Sequence, residues 1–348
     1  MTMLEQIIER WLSKPASSSR GIHSVADFPM VLATDLGLKR NENQDRIAAL
    51  RVHGGHPSSK SFTCVAVCDG MGGMSNGSAC ATLTLASFLS ALVYNRHTPP
   101  LDRLNTAARF ANQKVFDFAA GKGGATLSAV LLEAGDAYSA NVGDSRIYFE
   151  AAEGNERRLQ RATVDDNLAE AFGGNGRELV QFVGIGEGIS PHVSSLSKHA
   201  ESFIITTDGA HFIDEGIFST IFLNSSTVLQ AVERLVAVAR WLGGPDNATL
   251  AAFKRDLLHQ APAPIEEAII ELWGAFDSLQ LMSMPPDGKS SVTVELLDKW
   301  AKKEAKVENQ TPSQQPKKGQ RKTKKKQADQ LEIDIKLGDG GQDDVDRG

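Results

Sequence analysis

The sequence has few cysteines, no long apolar run and no strong excess of charge of one sign. Only 3 of its 348 residues are cysteines. This odd, low number argues against a disulfide framework and predicts a cytoplasmic protein. Cys64 and Cys68 lie in an apolar segment typical of a buried strand, and the absence of a second pair argues against a zinc site.

No stretch approaches the roughly 20 apolar residues that cross a bilayer, so no membrane association is expected. The N-terminal residues carry acids early and place apolar side chains at helical spacing, which is unlike a signal peptide. We therefore predict a helix and a loop over residues 1–28. The net charge of −6 makes a general nucleic-acid-binding protein unexpected.

Residues 29–255 alternate short apolar runs with glycine-rich or acidic turns, which is typical of strands in stacked sheets. Consecutive strands, a pair of long helices and further strands predict an α+β domain. The predicted strands are Met30–Thr34, Arg46–Val52, Phe62–Cys68, Ala125–Glu133, Ala137–Val142, Arg146–Phe149, Ser202–Thr207 and Ala248–Phe253. The predicted helices are Gly77–Asn95, Leu101–Ala119 and Thr227–Trp241.

The C-terminal part divides into two further regions. Residues 256–310 begin with prolines and continue with helical periodicity, which predicts a helical extension. Residues 311–348 are low in complexity, basic and then acidic, so we expect disorder. Seven Lys or Arg residues lie within 317–326; a solvated linker is the preferred interpretation, and binding of an acidic partner is the alternative. The segment LEIDIKL could add a strand to a protein partner.

The chemistry is indicated by 5 acidic residues at or near the ends of predicted strands. Carboxylates in such positions, flanked by glycines, can converge at one edge of a sheet sandwich. Oxygen ligands without a matching His or Cys pattern suit Mg²⁺ or Mn²⁺. A single Asp–Gly pair would indicate only a turn. The acidic residues are Asp45, Asp69, Asp144, Asp208 and Asp246.

Around these acids the sequence resembles the protein phosphatase 2C (PPM) family of metal-dependent serine/threonine phosphatases, in its bacterial form. The resemblance covers roughly residues 30–254 and rests on motifs that occur in the family's order. It implies a four-layer α/β/β/α sandwich of two antiparallel sheets flanked by helices. The motifs are ATDLGLKRNENQD, VAVCDGMGG, SACATLTLASFL, GATLSAVLL, NVGDSRIY, LVQFVGIG, IITTDG and PDNAT.

The resemblance also implies roles for individual residues. Asp69 matches the carboxylate that bridges two Mn²⁺ or Mg²⁺ ions, and the Gly70 carbonyl is a further ligand. Asp208 and Asp246 match the other ligands of the first ion. Asp45 matches an acid that orients metal-bound water. The remaining matches are Arg40, which binds the substrate phosphate, Asp144, a ligand of a weaker third ion, and Gln44 and Asn247, which adjoin the site.

The sequence departs from the family's pattern in several places. Gln44 replaces a common Glu, and Met71 stands where some eukaryotic members carry a histidine. Phe212 replaces an acid that often supports the third ion, and Asp214 is out of register with that position. Residues 161–181 correspond to the variable flap, whose glycines predict mobility. Two histidines, His192 and His211, are interpreted as polar surface residues.

The activity implied is hydrolysis of phosphoserine or phosphothreonine in proteins by a water activated between two ions. Such an enzyme opposes a Ser/Thr kinase in signalling, and its partners are phosphoproteins, either that kinase or the kinase's targets. One alternative is a catalytically weak phosphoprotein-binding or scaffold module. Another is a metal-dependent nuclease, which fits the acids and the basic tail but not the ordered motifs.

Overall fold

Two antiparallel sheets lie face to face, and helices cover the outer face of each. The computed structural model describes residues 2–14, 18–26, 28–54, 60–71, 76–153, 156–176, 178–255 and 268–284. Within these ranges the sheets have 6 and 7 strands. The predicted four-layer α+β sandwich is therefore confirmed.

The sequence located the central strands and the long helices, and it missed several short elements. All eight predicted strands and all three predicted helices are present, with ends that differ by a few residues. The strands are β1 Arg20–Ser24, β2 Met30–Asp35, β3 Arg46–Gly54, β4 Phe62–Cys68, β5 Leu127–Glu133, β6 Asp136–Val142, β7 Arg146–Glu153, β8 Glu156–Arg161, β9 His192–Ser195, β10 Ala200–Thr206, β11 Ala248–Lys254, β12 Ala268–Trp273 and β13 Ser278–Met284. The helices are α1 Met3–Leu12, α2 Gly77–Tyr94, α3 Pro100–Ala119, α4 Leu168–Phe172, α5 Asp208–His211, α6 Glu215–Leu223 and α7 Val228–Trp241.

The strand order places the N- and C-terminal segments of the described chain beside the central strands. The first sheet runs β1-β2-β11-β10-β7-β8, and the second runs β13-β12-β3-β4-β5-β6-β9. Every residue of β4 and β5 is buried, because one face of each strand meets the other sheet and the other face meets helices. Such strands read as continuous apolar runs rather than as alternating patterns.

Three apolar layers hold the sandwich together. One lies between the second sheet and α1, α2 and α3, and it includes Phe62 and Leu89. A second fills the space between the sheets, where the rings of Phe203 and Phe253 stack with centroids 5.4 Å apart. The third lies between the first sheet and the α5–α7 helices. This double-sided burial fixes the strand ends, which carry the acidic residues.

Helix α2 is long and strongly apolar. Over its 18 residues the mean hydropathy is 1.5, so by length and composition alone it could cross a membrane. However, 83% of that window is buried inside the protein, against the second sheet, α1 and α3. Helix α1 is fixed to it by Glu5, whose buried carboxylate accepts a hydrogen bond of 2.8 Å from the Ser87 hydroxyl. A core helix passes the same composition test as a membrane span.

Two regional predictions were wrong. The helical extension predicted for residues 256–310 is a β-hairpin over 268–284, in which β12 pairs with β3 and β13 pairs with β12. Ile270 and Leu272 face the helical layer while Trp273 faces the other sheet, so burial on both faces hid the strand period. The predicted N-terminal loop includes β1, which pairs with β2. The rest of 256–310 and the predicted disordered tail lie outside the described residues.

Candidate metal and phosphate site

The register of the strands brings the five acids to one end of the sandwich. In the second sheet Arg46 pairs with Cys68, so Asp45 and Asp69 stand opposite each other just beyond that pair. In the first sheet Thr206 pairs with both Leu250 and Arg146, which places Asp208 and Asp246 at the same end and Asp144 nearby. Antiparallel neighbours alternate direction, so acids from before some strands and after others converge.

Asp45 joins the two sheets at this end. Its side chain is 4% exposed, and its Oδ2 accepts a hydrogen bond of 2.9 Å from the hydroxyl of Thr207 in the other sheet. Its Oδ1 is buried and has no hydrogen-bond partner among the described residues. Burial, together with the charges of Asp208 and Asp246, raises the pKa of Asp45 to about 7, although the hydrogen bonds of Thr249 and Thr207 act in the opposite direction. This carboxyl therefore has one fixed oxygen and one available oxygen.

Asp69 is held by its backbone. Its N–H donates to the Thr126 hydroxyl at 2.9 Å, and its carbonyl accepts from the Thr126 N–H at 2.9 Å. Burial raises the pKa of the Asp69 carboxyl well above its ordinary value, and the other four acids add to this, Asp45 first. Next to it, a Cβ on Gly70 would lie 2.3 Å from the Gly77 carbonyl oxygen. The close approach of these backbones therefore requires glycine here.

Asp208 and Asp246 come from neighbouring strands of the first sheet. Asp208 Oδ1 is buried without a hydrogen-bond partner, and burial followed by the charge of Asp246 raises the pKa of Asp208. Asp246 Oδ2 lies 2.6 Å from Arg40 Nη2. The Arg40 side chain is 43% exposed, and its hydrogen bond to Asp246 raises the pKa of Arg40. The arginine expected to bind phosphate thus stands at the solvent side of the acids.

Asn247 fastens the loop that carries Arg40. Its side-chain amide donates to the carbonyls of Leu36 and Glu42 at 2.9 and 3.0 Å, and its Oδ1 accepts from the Gln44 N–H at 2.8 Å. The side chain of Gln44 contacts Glu42, with its Nε2 3.4 Å from Glu42 Oε2. Asn247 and Gln44 therefore act on the shape of the loop between β2 and β3.

Asp144 lies where the chain passes from the second sheet to the first. Burial, followed by the charges of Asp208 and Asp165, raises the pKa of Asp144 to about 7. Asp214 caps α6, since its Oδ1 accepts from the Ile217 N–H at 3.1 Å, and it is out of register with the site as expected. Phe212 remains 40% exposed. Asp144 thus lies close enough to Asp208 for the two charges to interact.

The donor set fits hard divalent cations. Oxygen donors dominate it, and Asp45 and Asp208 each carry a buried oxygen with no hydrogen-bond partner, which is costly unless a cation or water satisfies it. In the described residues no three Asp, Glu, His or Cys side chains are already closed around a common point. Mutual repulsion of the carboxylates, which contributes to the raised pKa values of Asp45 and Asp69, accounts for this spread. The residues present are those that Mg²⁺ or Mn²⁺ would draw together.

The two histidines differ from each other. His192 is exposed, as predicted, and its Nε2 lies 2.7 Å from Asp166 Oδ1 at the base of the predicted flap. His211 is only 9% exposed, so its interpretation as a surface residue was wrong. Its Nδ1 is 2.9 Å from the Thr206 hydroxyl, and burial lowers its pKa well below the ordinary value. The Thr206 hydroxyl and the charges of Arg146 and Arg161 lie near it, which the sequence of the short α5 segment could not reveal.

Sequence reasoning missed the hydroxyl groups that position the acids. Thr207 binds Asp45, and Thr126 binds the Asp69 backbone while sharing a hydrogen bond of 2.7 Å with Ser145. A further pair, Thr34 and Thr249, is joined at 2.7 Å behind Asp45. Each of these residues stands next to a predicted motif residue or within a predicted strand. The threonines were therefore visible in the sequence, but threonine is so common in strands that its presence does not indicate a role in the site.

Several solved structures of bacterial phosphatases have a fold similar to that of this protein. The PPM Ser-Thr phosphatase MsPP from Mycobacterium smegmatis, solved with cacodylate, is 26% identical, with a TM-score of 0.52 over 66% of this chain and 99% of that one. The catalytic domain of the serine/threonine phosphatase PstP, in complex with 2 manganese ions, is 23% identical, with a TM-score of 0.52 over 68% and 99%. Stp1 from Staphylococcus aureus is 16% identical, with a TM-score of 0.53 over 69% and 98%.

No protein-family model matches the sequence, and no curated protein sequence matches it. The likeness is therefore carried by the tertiary structure and by short motifs. The resemblance to PPM phosphatases is confirmed, since each of these neighbours is covered almost completely.

Proposed function

We propose that this chain, which has the fold of the bacterial PPM phosphatases, is a metal-dependent phosphatase acting on phosphoserine or phosphothreonine in proteins. The observation that carries the proposal is the cluster of acids from both sheets, with buried partnerless oxygens on Asp45 and Asp208 and with Arg40 at its open side. A structural role would leave these oxygens paired. A cluster that has to hold cations leaves them available.

Most of the acidic residues would bind the metal ions. Asp69 would hold both ions, with the Gly70 carbonyl as a further ligand, and Asp208 and Asp246 would complete the first of the two positions. Two such ions, Mn²⁺ or Mg²⁺, supply an activated water and offset negative charge at phosphorus. Asp144 would contribute to a weaker third position.

Asp45 and Arg40 act on water and substrate. Asp45, fixed through Oδ2 by Thr207, has Oδ1 free to accept a hydrogen bond from the attacking water and so to orient it. Arg40 presents a planar guanidinium at the solvent side, where two of its N–H groups can bind two phosphoryl oxygens. Its bond with Asp246 would then be exchanged for bonds to the substrate.

The proposed setting follows from the reaction. The substrates would be phosphoproteins made by a Ser/Thr kinase, or that kinase itself, and the low cysteine content supports a cytoplasmic location. Partner binding through the tail remains a proposal about residues outside the described ranges.

One assay tests the proposal. Hydrolysis of p-nitrophenyl phosphate and of a phosphothreonine peptide is measured with Mn²⁺, with Mg²⁺ and with EDTA. Metal-dependent turnover of both substrates supports the phosphatase. Tight phosphopeptide binding without turnover would instead identify a phosphoprotein-binding module, and cleavage of nucleic acid alone would identify a nuclease.

A further inference from the structure

Arg46 connects the loop that carries Asp45 to the start of helix α2. Its Nη1 donates to the backbone carbonyls of Asn43 and Asp45 at 3.0 and 2.7 Å. Its Nε donates to the Thr82 hydroxyl at 2.8 Å, and its Nη2 donates to the Ser78 hydroxyl at 3.0 Å. All three nitrogens of the guanidinium are therefore engaged, with two bonds to the loop and two to the helix.

The hydroxyl groups on α2 are themselves fixed. Ser78 and Thr82 lie four positions apart, so they stand on the same face of the helix. The Thr82 hydroxyl donates to the Ser78 carbonyl at 2.8 Å while it accepts from Arg46, and Thr82 is only 3% exposed. A hydroxyl that both donates and accepts has a defined orientation. The helix therefore offers Arg46 a well-defined attachment.

The sheet does not hold the backbone of Asp45 in the same way. The last pair of the β3–β4 ladder is Arg46 with Cys68, so Asp45 lies one residue beyond it. The Asp45 N–H donates to the side-chain oxygen of Asn43 at 3.0 Å, and the Asp45 carbonyl accepts from Arg46. The carboxylate accepts from Thr207. Arg46 thus supplies the contact that fixes the carbonyl side of a residue outside the ladder.

The start of α2 also lies against the segment that carries the proposed bridging ligand. A Cβ on Gly70 would lie 2.8 Å from the Gln44 carbonyl oxygen, and a Cβ on Gly77 would lie 3.1 Å from both the Gly70 carbonyl and the Gln44 side chain. The end of β4, the start of α2 and the loop before β3 therefore meet at this point. Because Asp69 directly precedes Gly70, a connection from α2 to the loop fixes Asp45 relative to Asp69.

We infer that Arg46 is a positioning residue, which holds the Asp45 carboxylate in the orientation that directs the attacking water. This rests on the proposed phosphatase function, in which Asp45 orients that water. Arg46 acts through the backbone carbonyl of Asp45, whereas Asp69, Asp208 and Asp246 would hold the ions. Loss of Arg46 should therefore lower turnover more than ion binding. Partners that orient a functional side chain in this way typically change activity by about 10- to 100-fold.

A double-mutant cycle tests whether Arg46 acts through Asp45. Turnover of p-nitrophenyl phosphate and of a phosphothreonine peptide is measured with Mn²⁺ for the wild type, Arg46→Lys, Asp45→Asn and the double variant. Lysine keeps the charge but lacks the planar fork that reaches both the loop and the helix. We expect Arg46→Lys to lower kcat roughly tenfold in the wild-type background and to add little to the loss in Asp45→Asn. KM and the Mn²⁺ affinity measured by calorimetry should stay near the wild-type values.

The matched control is Arg51→Lys. Arg51 lies on the same strand, five residues further along; it is 9% exposed, and its Nη1 is 3.8 Å from Glu271 Oε2. This variant should retain the wild-type kcat per folded molecule, with the folded fraction determined by urea denaturation. Thr82→Val removes the acceptor of Arg46 Nε and should lower kcat in the same direction as Arg46→Lys, but more weakly. It decides the question if Arg46→Lys does not fold.

The possible outcomes separate the role of Arg46 from the proposed function. Additive losses in the cycle, a wild-type kcat in Arg46→Lys, or an equal loss in Arg51→Lys would each overturn the inference. A fall in Mn²⁺ affinity as large as the fall in kcat would also overturn it, because Arg46 would then act on the ions. Absence of metal-dependent hydrolysis in the wild type rejects the proposed function itself, whereas an active wild type with additive losses rejects only the role of Arg46.

Discussion

Two sets of buried acids in this protein are built in opposite ways. Glu133 and Asp165 are each surrounded by cations. Glu133 binds the fully buried Arg103 and lies 3.4 Å from Lys60, and Asp165 binds Arg146 and Arg161 at 2.7 and 2.6 Å. These are the paired acids.

Within the described part of the chain, the acids at the end of the sandwich lack such partners. Arg40 binds Asp246, which lies at the solvent side of this group of acids. Burial and mutual repulsion raise the pKa values of Asp45, Asp69, Asp144 and Asp208. The difference separates acids that neighbouring cations neutralise from acids whose pKa values stay raised, and the second arrangement is typical of functional sites. Four predictions sharpen or break this comparison.

The largest effect is expected at Asp208. The variant Asp208→Asn removes a predicted metal ligand, so kcat/KM on p-nitrophenyl phosphate should fall by more than about 100-fold, the upper value for losing a residue that only supports a ligand. The free energy of unfolding in EDTA should not decrease, because a repulsive charge is removed. Urea denaturation checks this, and clear destabilisation would place Asp208 with the paired acids.

The opposite pattern is expected at Glu133. The variant Glu133→Gln leaves the guanidinium of Arg103, which is 0% exposed, without its counter-charge. Breaking a buried pair in this way costs about 3–5 kcal/mol of unfolding free energy. Turnover per folded molecule should stay at the wild-type value in urea-free assays, and loss of activity in the folded fraction would contradict the distinction.

The next prediction concerns Arg40, the cation that binds Asp246. The variant Arg40→Ala should lower phosphopeptide binding about tenfold or more, because two charge-assisted hydrogen bonds are lost. Mn²⁺ affinity and melting temperature should change little, since the side chain is 43% exposed. Arg40→Lys, which keeps the charge without the planar fork, should recover only part of the binding. Unchanged phosphopeptide kinetics in Arg40→Ala would refute the assigned role.

The smallest effect is a pH dependence of metal-free stability. The folded-state pKa of Asp45 and of Asp144 is about 7, above the ordinary value of 3.8, so the folded protein binds more protons than the unfolded chain between these values. In EDTA their contribution to stability must therefore fall as pH rises from about 4 to 7. Mn²⁺ should raise the melting temperature more at pH 7.5 than at pH 5.5. Scanning calorimetry at both pH values, with Asp45→Asn as the comparison, measures this difference.

The roles of the two sets of acids could not be predicted equally well from the sequence. The acids of the site stand in motifs such as CDGMGG, TTDG and PDNAT, whose glycines and strand-end positions could be recognised locally. Glu133 also ends a strand beside a glycine turn, so its local pattern does not distinguish it, and its partner Arg103 lies 30 residues away. Asp165 has Arg161 four residues away and Arg146 19 residues away, in a segment without a recognisable motif. Pairing of this kind depends on which side chains the fold brings together.

The same limit explains the errors in secondary structure and burial. Residues 268–284 were interpreted as helical, yet β12 lies beside β3, more than 200 residues earlier in the chain. Only an available edge of the second sheet decides that such an apolar run becomes a strand. His211 likewise became buried because α5 lies against the first sheet.

The sequence by itself determined the central strands, the long helices and the identity of the acids, because apolar periodicity and glycine-flanked turns are local properties of a chain. The tertiary structure alone decided that Thr207 fixes Asp45, that Asn247 shapes the Arg40 loop, and that Leu38 lies beside the end of α7. These relations join segments roughly 160–210 residues apart. They follow from strand register and layer packing, which no local pattern encodes.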